Sequence, residues 1–321
     1  MAIPPAVVSA ARQGWRWQWL QLMGGLGPAD GAGNYTRPRG AFVDKPAVPE
    51  AAGQAHGHVL IVGRSCPWAH RAWLVWQLRQ LQESIDLLVV EPDPEAGRWR
   101  FPEPFLGCST LQELYRRAGA PPDQRATVPV LVDRNSGAVV VGESARLMEL
   151  LNDWPAPAGS PDLEPRSLLP QIQHWRELFQ DAVNDGVYRC GFARNQGAYD
   201  RAETALFETL GAAETALGRN ETGAWLCGDA LTLADVQLFP TLIRLELVYA
   251  PLFGVSRRPL WQLPNLWDWR QRFFALPGVS GTCCDQAWRE DYFGALFPLH
   301  PSGIVPAGPA LATLVEAQVK P

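Results

Sequence analysis

The residue with the most distinctive chemistry in this chain is a cysteine placed between a predicted strand and a predicted helix. The apolar run Val59–Val62 predicts a buried strand, and the segment Cys66-Pro67-Trp68-Ala69 opens a helical stretch. Where a helix begins, unpaired N–H groups and the positive end of the helix dipole favour a thiolate over a thiol. Pro67 suits this position, because it has no N–H and its φ is already fixed. This context predicts a reactive Cys66 with a lowered pKa, although a free cysteine is more usually a small buried hydrophobe.

The surroundings of Cys66 restrict what its thiol can react with. A dithiol redox motif would carry its second cysteine at position 69, where this chain has Ala69, so Cys66 cannot close a local disulfide. Arg64 and Arg71 add nearby positive charge. We therefore expect Cys66 to react with a thiol from another molecule, and glutathione is the obvious candidate.

The bulk properties are those of an ordinary globular protein. The chain has 321 residues and a formal net charge of −5, which gives no support to nucleic-acid or anionic-membrane binding. Its six cysteines form no CxxC pair and no Cys/His cluster with zinc spacing, so we expect neither a disulfide framework nor a metal site. We see no signal-peptide pattern and no apolar run of membrane-spanning length. The prediction is a soluble, cytoplasmic protein with no membrane or nucleic-acid partner.

The pattern of apolar residues changes from short strands to helices along the chain. The first part predicts the order βαβαββα, with residues 91–110 as a loop, and the second part predicts helices throughout. The predicted divisions are an extended N-terminal arm with a short helix (1–55), a thioredoxin-like domain (56–153), a linker (154–165), an all-helical domain (166–297) and a tail (298–321). An α/β thioredoxin-like domain followed by an all-α domain resembles the plan of the glutathione transferases.

Two further motifs lie where such a fold binds glutathione. Val128-Pro129 resembles the cis-proline of thioredoxin-like folds, whose preceding backbone N–H and C=O pair with the cysteinyl backbone of glutathione like an added strand. Glu143 and Ser144 resemble the acidic and hydroxyl pair that holds the γ-glutamyl end, although Ser144 could also be a simple N-cap. Arg125 is a candidate partner for the glycine carboxylate or else a solvated surface arginine. Trp99 is a candidate to close over the tripeptide.

Together these segments resemble the glutathionyl-hydroquinone reductases, the Xi class of glutathione transferases. The resemblance covers roughly residues 58 to 308 and is carried by Cys66–Arg71, Asn184–Ala193, Leu238–Arg244, Leu263–Trp267 and Gly303–Pro306. It implies that the Cys66 thiolate attacks the sulfur of a glutathionyl-hydroquinone and forms a mixed disulfide, which a second glutathione resolves. Glutathione is then a co-substrate, and the family suggests a homodimer.

The resemblance also implies an aromatic substrate site in the helical half. Tyr188, Tyr249 and Tyr292 would hydrogen-bond the ring hydroxyls, and one of them would donate the proton to the ring carbon. The alternative for any single one is a buried tyrosine whose hydroxyl is satisfied by the backbone. The N-terminal arm matches the family poorly, which leaves its docking open.

Three other functions use the same fold. An Omega-like thioltransferase or dehydroascorbate reductase would use the same cysteine on a different acceptor. A conventional transferase would activate the thiol of glutathione with a hydroxyl, and a cysteine in that place argues against it. A non-catalytic binding module is the third alternative, because a fold alone does not prove activity. The intact set of Cys66, Val128-Pro129 and Glu143-Ser144 argues against that module.

Overall fold

The computed structural model describes residues 3–38, 40–44, 46, 48, 57–93, 98–219, 223–296 and 298–316. Residues from 57 to 153 form one mixed sheet with helices packed on it, and the residues that follow form helices. This is the predicted thioredoxin-like plus all-helical fold.

The sheet has six strands: β1 (His58–Gly63), β2 (Ile85–Asp93), β3 (Arg98–Phe105), β4 (Cys108–Thr110), β5 (Val130–Asp133) and β6 (Val139–Val141). Their spatial order is β4-β3-β2-β1-β5-β6. β1 pairs in parallel with β2, and the remaining neighbours are antiparallel. The central strand β1 is buried over nearly its whole length, as its continuous apolar run predicts.

The prediction of a loop over residues 91–110 is wrong, because this stretch contains the hairpin β3–β4. Leu106 and Gly107 both have positive φ, 48° and 71°, which is the geometry of a two-residue hairpin turn. Pro102 and Pro104 lie within β3 near the edge of the sheet, where a missing N–H is tolerated. The prolines and the glycine suggested a loop, but they are compatible with a hairpin that extends the sheet.

Three helices pack on the sheet: α2 (Pro67–Leu78), α3 (Leu111–Arg117) and α4 (Ser144–Asp153). Thr110 and Glu113 form a capping box that starts α3. α2 contacts β1, α4 and the later helix α8 (Leu233–Leu242), so both halves of the protein cover it. Its residues are therefore buried on several sides, and the helix that begins at Cys66 lies at the junction of the two halves.

The helical half contains α5 (Leu169–Leu178), α6 (Gly186–Gly191), α7 (Gln196–Arg219), α8, α9 (Ala250–Phe253), α10 (Pro264–Phe274) and α11 (Asp285–Ala295). Two π-helical turns, Phe179–Asn184 and Leu245–Tyr249, continue α5 and follow α8. Short 3₁₀ turns lie at Leu81–Glu83, Arg166–Leu168, Leu260–Gln262 and Ser280–Thr282. A capping box starts α8, in which the buried Asp235 accepts from the Thr232 amide at 3.0 Å.

We expected the N-terminal arm to be extended apart from one short helix, but much of it is helical. Residues Pro5–Leu26 form the 22-residue helix α1, which is longer than the predicted short helix. Beyond it, residues 28–37 follow the protein surface, and Arg194 donates to the carbonyls of Met23 and Gly27. Parts of residues 39–56 lie outside the described residues.

Two apolar features correct the sequence analysis further along the chain. Leu233–Phe253 is long and apolar enough to cross a membrane by composition, although we had expected no such run, and 83% of its most apolar window is buried in the protein. Burial of this kind is typical of a core helix. The predicted tail contains the short helix α12 (Leu311–Val315), where Leu314 is buried.

Candidate active site

Cys66 lies at the start of α2, as predicted, between the sheet and the helical half. It is the N-cap of the helix, and the Ala69 amide donates to its sulfur at 3.4 Å. On the opposite side, the Cys66 thiol donates to the Val128 carbonyl at 3.4 Å. Pro67 occupies the first helical position. Cys66 is half-buried and forms no disulfide, so part of the residue remains open to solvent.

The predicted lowering of the Cys66 pKa is wrong. Burial raises the pKa of the thiol, and this effect outweighs the helix amides and the positive charges of Arg244 and Arg37, which lower it. The hydrogen bond to the Val128 carbonyl stabilises the same protonated form, because a thiolate has no proton to donate. With its pKa raised above the ordinary value, Cys66 is a protonated thiol at neutral pH.

The peptide bond between Val128 and Pro129 is cis, as predicted. Pro129 directly precedes β5, and both residues are buried. The Val128 carbonyl faces the sulfur of Cys66.

Glu143 and Ser144 lie at the start of α4. The N-cap of this helix is Glu143, whereas the sequence analysis considered Ser144. Glu143 is the N-cap, and its carboxylate accepts from the Ala145 amide at 3.2 Å and the Ser144 hydroxyl at 3.4 Å. Ser144 is the first helical residue and is buried, so the alternative of a simple Ser144 N-cap is wrong. Gly142 donates its N–H to the Phe42 carbonyl at 2.8 Å, so the N-terminal arm reaches this helix start.

Trp99 and Arg125 lie in different surroundings. Trp99, on β3, is half-buried and packs its ring against the end of β1, where a Cβ on Gly63 would come within 2.6 Å of that ring. This close approach requires glycine at position 63. Arg125 is exposed in the segment before β5. Their contacts with glutathione remain predictions.

The structure brings the three predicted tyrosines together from three separate elements. Tyr188 comes from α6, Tyr249 from the π-helical turn after α8, and Tyr292 from α11. The Tyr292 hydroxyl lies 2.5 Å from the Tyr188 hydroxyl and 3.4 Å from the Tyr249 hydroxyl. Burial raises the pKa of all three, so they are neutral donors and acceptors at neutral pH. We call these three residues the tyrosine cluster.

Trp68 lies between Cys66 and the tyrosine cluster. Arg37 covers the Trp68 ring and is a candidate site residue that the sequence analysis missed. The Trp68 ring stacks on the Tyr188 ring with centroids 6.0 Å apart. The Arg37 guanidinium lies 3.4 Å from the centroid of the Trp68 ring and pairs with Asp185 at 3.1 Å. No pattern in the Gly- and Pro-rich arm marks Arg37, because its role depends on where the arm docks.

The two arginines predicted near Cys66 differ in burial. Arg71 is buried, donates to Gln180 at 3.1 Å and lies 4.4 Å from the Trp68 ring centroid. Burial, together with the charge of Arg37, lowers the pKa of Arg71 to about 9. Arg64 is exposed, and its carbonyl accepts from the Trp288 indole at 3.0 Å.

Comparison with known proteins agrees with this arrangement. Residues 65–154 match the N-terminal domain of glutathione S-transferases, and residues 196–272 match their C-terminal domain. The fold and the site thus define a glutathione transferase.

The relatives define the class more closely. The chain is 33% identical over 262 residues to the glutathionyl-hydroquinone reductase YqjG of Escherichia coli K12, covering 78% of each chain. It is 32% identical to the glutathionyl-hydroquinone reductase PcpF of Sphingobium chlorophenolicum, covering 80% of this chain and 84% of PcpF. The glutathione-bound structure of YqjG superposes with a TM-score of 0.73 over 82% of this chain and 87% of that one, at 33% identity. The Xi transferase of Phanerochaete chrysosporium superposes with a TM-score of 0.79 over 88% and 94%, at 31% identity. The chain belongs to the glutathionyl-hydroquinone reductases, the Xi class of glutathione transferases, which confirms the resemblance.

Proposed function

We propose that this protein reduces glutathionyl-hydroquinones to hydroquinones, with glutathione as the reductant. The observation that carries the proposal is the position of Cys66, at a helix start beside the cis-proline and joined through Trp68 to the tyrosine cluster. A thiol without a neighbouring cysteine, next to an aromatic site rich in hydroxyls, suits a substrate that is half glutathione and half phenolic ring. The curated names of YqjG and PcpF support the same reaction.

Glutathione is proposed to bind along β5 and the start of α4. The cysteinyl backbone would pair with Val128, and the γ-glutamyl end would meet Glu143 and Ser144. Trp99 would cover the tripeptide, and the exposed Arg125 would pair with the glycine carboxylate. The glutathione-bound structure of YqjG supports a binding site for this tripeptide in the fold.

Substrate binding supplies the change that Cys66 needs in order to ionise. In the structure the Val128 carbonyl accepts from the thiol. A carbonyl oxygen has two lone pairs, so a cysteinyl amide of the ligand would share this acceptor with the thiol and weaken the hydrogen bond that favours the protonated form. The Ala69 amide and the start of α2 still point at the sulfur, and these donors favour the thiolate. The bound conjugate thus promotes formation of its own nucleophile.

The reaction then proceeds in two steps, an attack of Cys66 on the thioether sulfur and a thiol–disulfide exchange. The Cys66 thiolate attacks the glutathionyl sulfur, a sulfur–sulfur bond forms, and the aromatic carbon–sulfur bond breaks. The bonding electrons go to the ring carbon, which takes a proton, and the hydroquinone leaves. A second glutathione thiolate attacks the mixed disulfide, which releases oxidised glutathione and restores Cys66.

The tyrosine cluster is proposed to hold the ring and to supply its proton. Three neutral hydroxyls in contact can bond both ring hydroxyls and still exchange a proton among themselves. Tyr188 is the least buried of the three, so its hydroxyl is the first that a ring entering beside Trp68 would meet.

The test incubates the protein with glutathionyl-benzohydroquinone and glutathione and follows both products by chromatography. We expect hydroquinone and oxidised glutathione in equal amounts, and no turnover by Cys66→Ala. The control Cys108→Ala removes a free cysteine from β4, away from the site, and should turn over normally. Mass spectrometry after incubation with oxidised glutathione should show one adduct, on Cys66.

Two outcomes would contradict the proposal. Turnover of dehydroascorbate without turnover of the conjugate would assign the protein to the Omega-like thioltransferases. Full activity in Cys66→Ala would exclude every cysteine mechanism.

We also propose that the protein is a cytoplasmic homodimer, and light scattering after size exclusion measures its oligomeric state directly.

A further inference from the structure

Arg244 is a buried cation with no anion to balance it. It follows the end of α8, and its side chain has no exposed surface. Within the described part of the chain, no carboxylate forms an ion pair with it, and its Nε and Nη2 atoms have no hydrogen-bond partner. Burial of an unpaired charge is costly, so its presence here calls for a reason.

The groups that do contact Arg244 are all neutral. Its Nη1 donates to the Pro240 carbonyl at 2.9 Å and to the His70 imidazole at 2.9 Å. The guanidinium also lies 3.9 Å from the centroid of the Trp288 ring. These contacts offset part of the desolvation cost, but they leave the positive charge in place.

His70 does not add to that charge. An arginine only donates, so Nδ1 of His70 must accept and Nε2 must carry the hydrogen, which it donates to the Thr282 hydroxyl at 2.8 Å. Burial, together with the charge of Arg244, lowers the pKa of His70 well below its ordinary value. His70 is therefore neutral at neutral pH. It connects Arg244 to Thr282 but does not balance the charge of Arg244.

Hydrogen bonds connect Arg244 to the helical turn that follows Cys66 and to the turn that carries Tyr249. The His70 amide donates to the Cys66 carbonyl at 3.0 Å, so the imidazole that Arg244 holds belongs to the first turn of the Cys66 helix. The Arg244 carbonyl accepts from the amides of Val248 and Tyr249, at 2.9 and 3.3 Å, in the turn that carries Tyr249. One residue thus joins the turn of the nucleophile to the turn of a ring-binding tyrosine.

A second buried arginine shows that the protein pairs such charges elsewhere. Arg270 also has no exposed surface, but its Nη1 pairs with Glu246 at 2.7 Å. Arg244 differs from Arg270 in this respect. It shares the lack of an ion pair among the described residues with the buried Arg71, which donates to Gln180 at 3.1 Å.

We propose that Arg244 is a positioning residue of the reaction, whose unbalanced positive charge stabilises the anions that form on Cys66 and on the departing hydroquinone. The inference deepens the proposed function and rests on it for the hydroquinone, but its effect on Cys66 can be measured without that substrate. The anions that would balance this charge form when the thiol ionises and when the carbon–sulfur bond breaks.

Two cations, Arg244 and Arg37, act on Cys66, and only Arg37 is paired with an acid among the described residues. Burial raises the pKa of the Cys66 thiol, and the charges of Arg244 and Arg37 oppose that rise. The charge of Arg244 acts in the same direction on Tyr249 and Tyr292. Of the two cations, Arg37 is already paired with Asp185, whereas Arg244 is unpaired within the described residues.

The test measures the alkylation rate of Cys66 by iodoacetamide at pH 8, read by mass spectrometry of the Cys66 peptide. Below its pKa a thiol reacts in proportion to its thiolate fraction, and a thiolate with a higher pKa is the stronger nucleophile, so one pKa unit changes the net rate about threefold. We expect Arg244→Met to react about threefold more slowly or worse, and Arg244→Lys, which keeps the charge, to stay within about twofold of wild type. The control Arg270→Met should lose thermal stability while its Cys66 rate stays within about twofold.

Two results would overturn the proposal: an unchanged rate in Arg244→Met, or an equally slow rate in Arg244→Lys. The second would show that the shape of the arginine matters and its charge does not. Because these rates need no conjugate, they remain informative even if the protein does not turn over glutathionyl-hydroquinone.

A second pair of variants keeps Arg244 in place, in case Arg244→Met does not fold. Cys66→Asp and Cys66→Asn have nearly the same shape, and both suit a helix N-cap. Thermal unfolding is measured at pH 7 in high salt, which screens the half-exposed Arg37 more than a buried charge. We expect Cys66→Asp to melt at a higher temperature than Cys66→Asn. A lower melting temperature for Cys66→Asp would show that the site does not favour an anion.

Discussion

The replacement Tyr292→Phe removes the central hydroxyl of the tyrosine cluster and leaves its ring in place. That hydroxyl lies 2.5 Å from the Tyr188 hydroxyl and 3.4 Å from the Tyr249 hydroxyl. The ring contacts with Tyr249 and Phe253, at centroid separations of 5.8 and 6.0 Å, do not depend on the hydroxyl. The change therefore isolates hydrogen bonding from packing.

The structure sets the size of the expected effect. A net hydrogen bond contributes about 0.5–1.5 kcal/mol, and a buried group left unpaired costs about 1–3 kcal/mol. Tyr292 has one short and one long contact, so Tyr292→Phe should lower the free energy of unfolding by about 1–2 kcal/mol. Tyr249→Phe loses only the long contact and should cost less than about 1 kcal/mol. Loss of a hydroxyl that stabilises the departing ring should lower kcat about 100- to 1000-fold.

The assay measures kcat and KM with glutathionyl-benzohydroquinone, and urea unfolding measures stability. Tyr199→Phe is a matched control, because the Tyr199 hydroxyl donates to the Gly254 carbonyl at 2.6 Å, outside the cluster. We expect Tyr199→Phe to lose stability of similar size and to keep its kcat. Tyr292→Phe should lose both stability and kcat.

The reasoning would be refuted by Tyr292→Phe turning over within about twofold of wild type. It would also be refuted if Tyr249→Phe lost as much kcat as Tyr292→Phe, because the short contact would then carry no special weight.

Three other predictions follow from the site and its support. In the ligand-free protein the alkylation rate of Cys66 should rise about tenfold per pH unit from pH 6 to 8, because burial raises the pKa of this thiol; a plateau below pH 7 would contradict it. The same shift stabilises the fold below the ordinary pKa of a cysteine, and that contribution is lost as the pH rises through the raised value. Glu143→Gln should weaken glutathione binding about tenfold in calorimetry, and the exposed control Glu208→Gln should not. Asp235→Asn should lower the free energy of unfolding by about 2–4 kcal/mol in urea, because the buried carboxylate accepts from Leu226, Thr232 and Trp269; a loss below about 0.5 kcal/mol would show that the carboxylate is dispensable.

Much of the fold was predictable because its signals are local. An apolar run followed by Cys66 and Pro67 predicts a strand and a helix start, and both are present. The capping residues of α8 lie within four positions of each other, so neighbouring residue types reveal them. The hairpin over 91–110 was missed because prolines and a glycine are as compatible with an edge hairpin as with a loop.

Properties of the site that depend on burial were not predictable in the same way. The helix start by itself favours a Cys66 thiolate, but burial raises the pKa of Cys66, and its sulfur contacts the distant Val128. The placement of Arg37 over Trp68 depends on the docking of the N-terminal arm, and no local pattern encodes it.

Residue types along the chain were enough to identify the available chemistry: a single cysteine at a helix start, a proline before a strand, an acidic and hydroxyl pair, and tyrosines in the helical half. How that chemistry is held depends on folding, because the distance between Tyr188 and Tyr292 and the burial of Arg244 without an acid arise from packing between the elements. Local residue types set hydrogen-bonding and helix-capping preferences, whereas charge stabilisation depends on how much water the whole fold excludes.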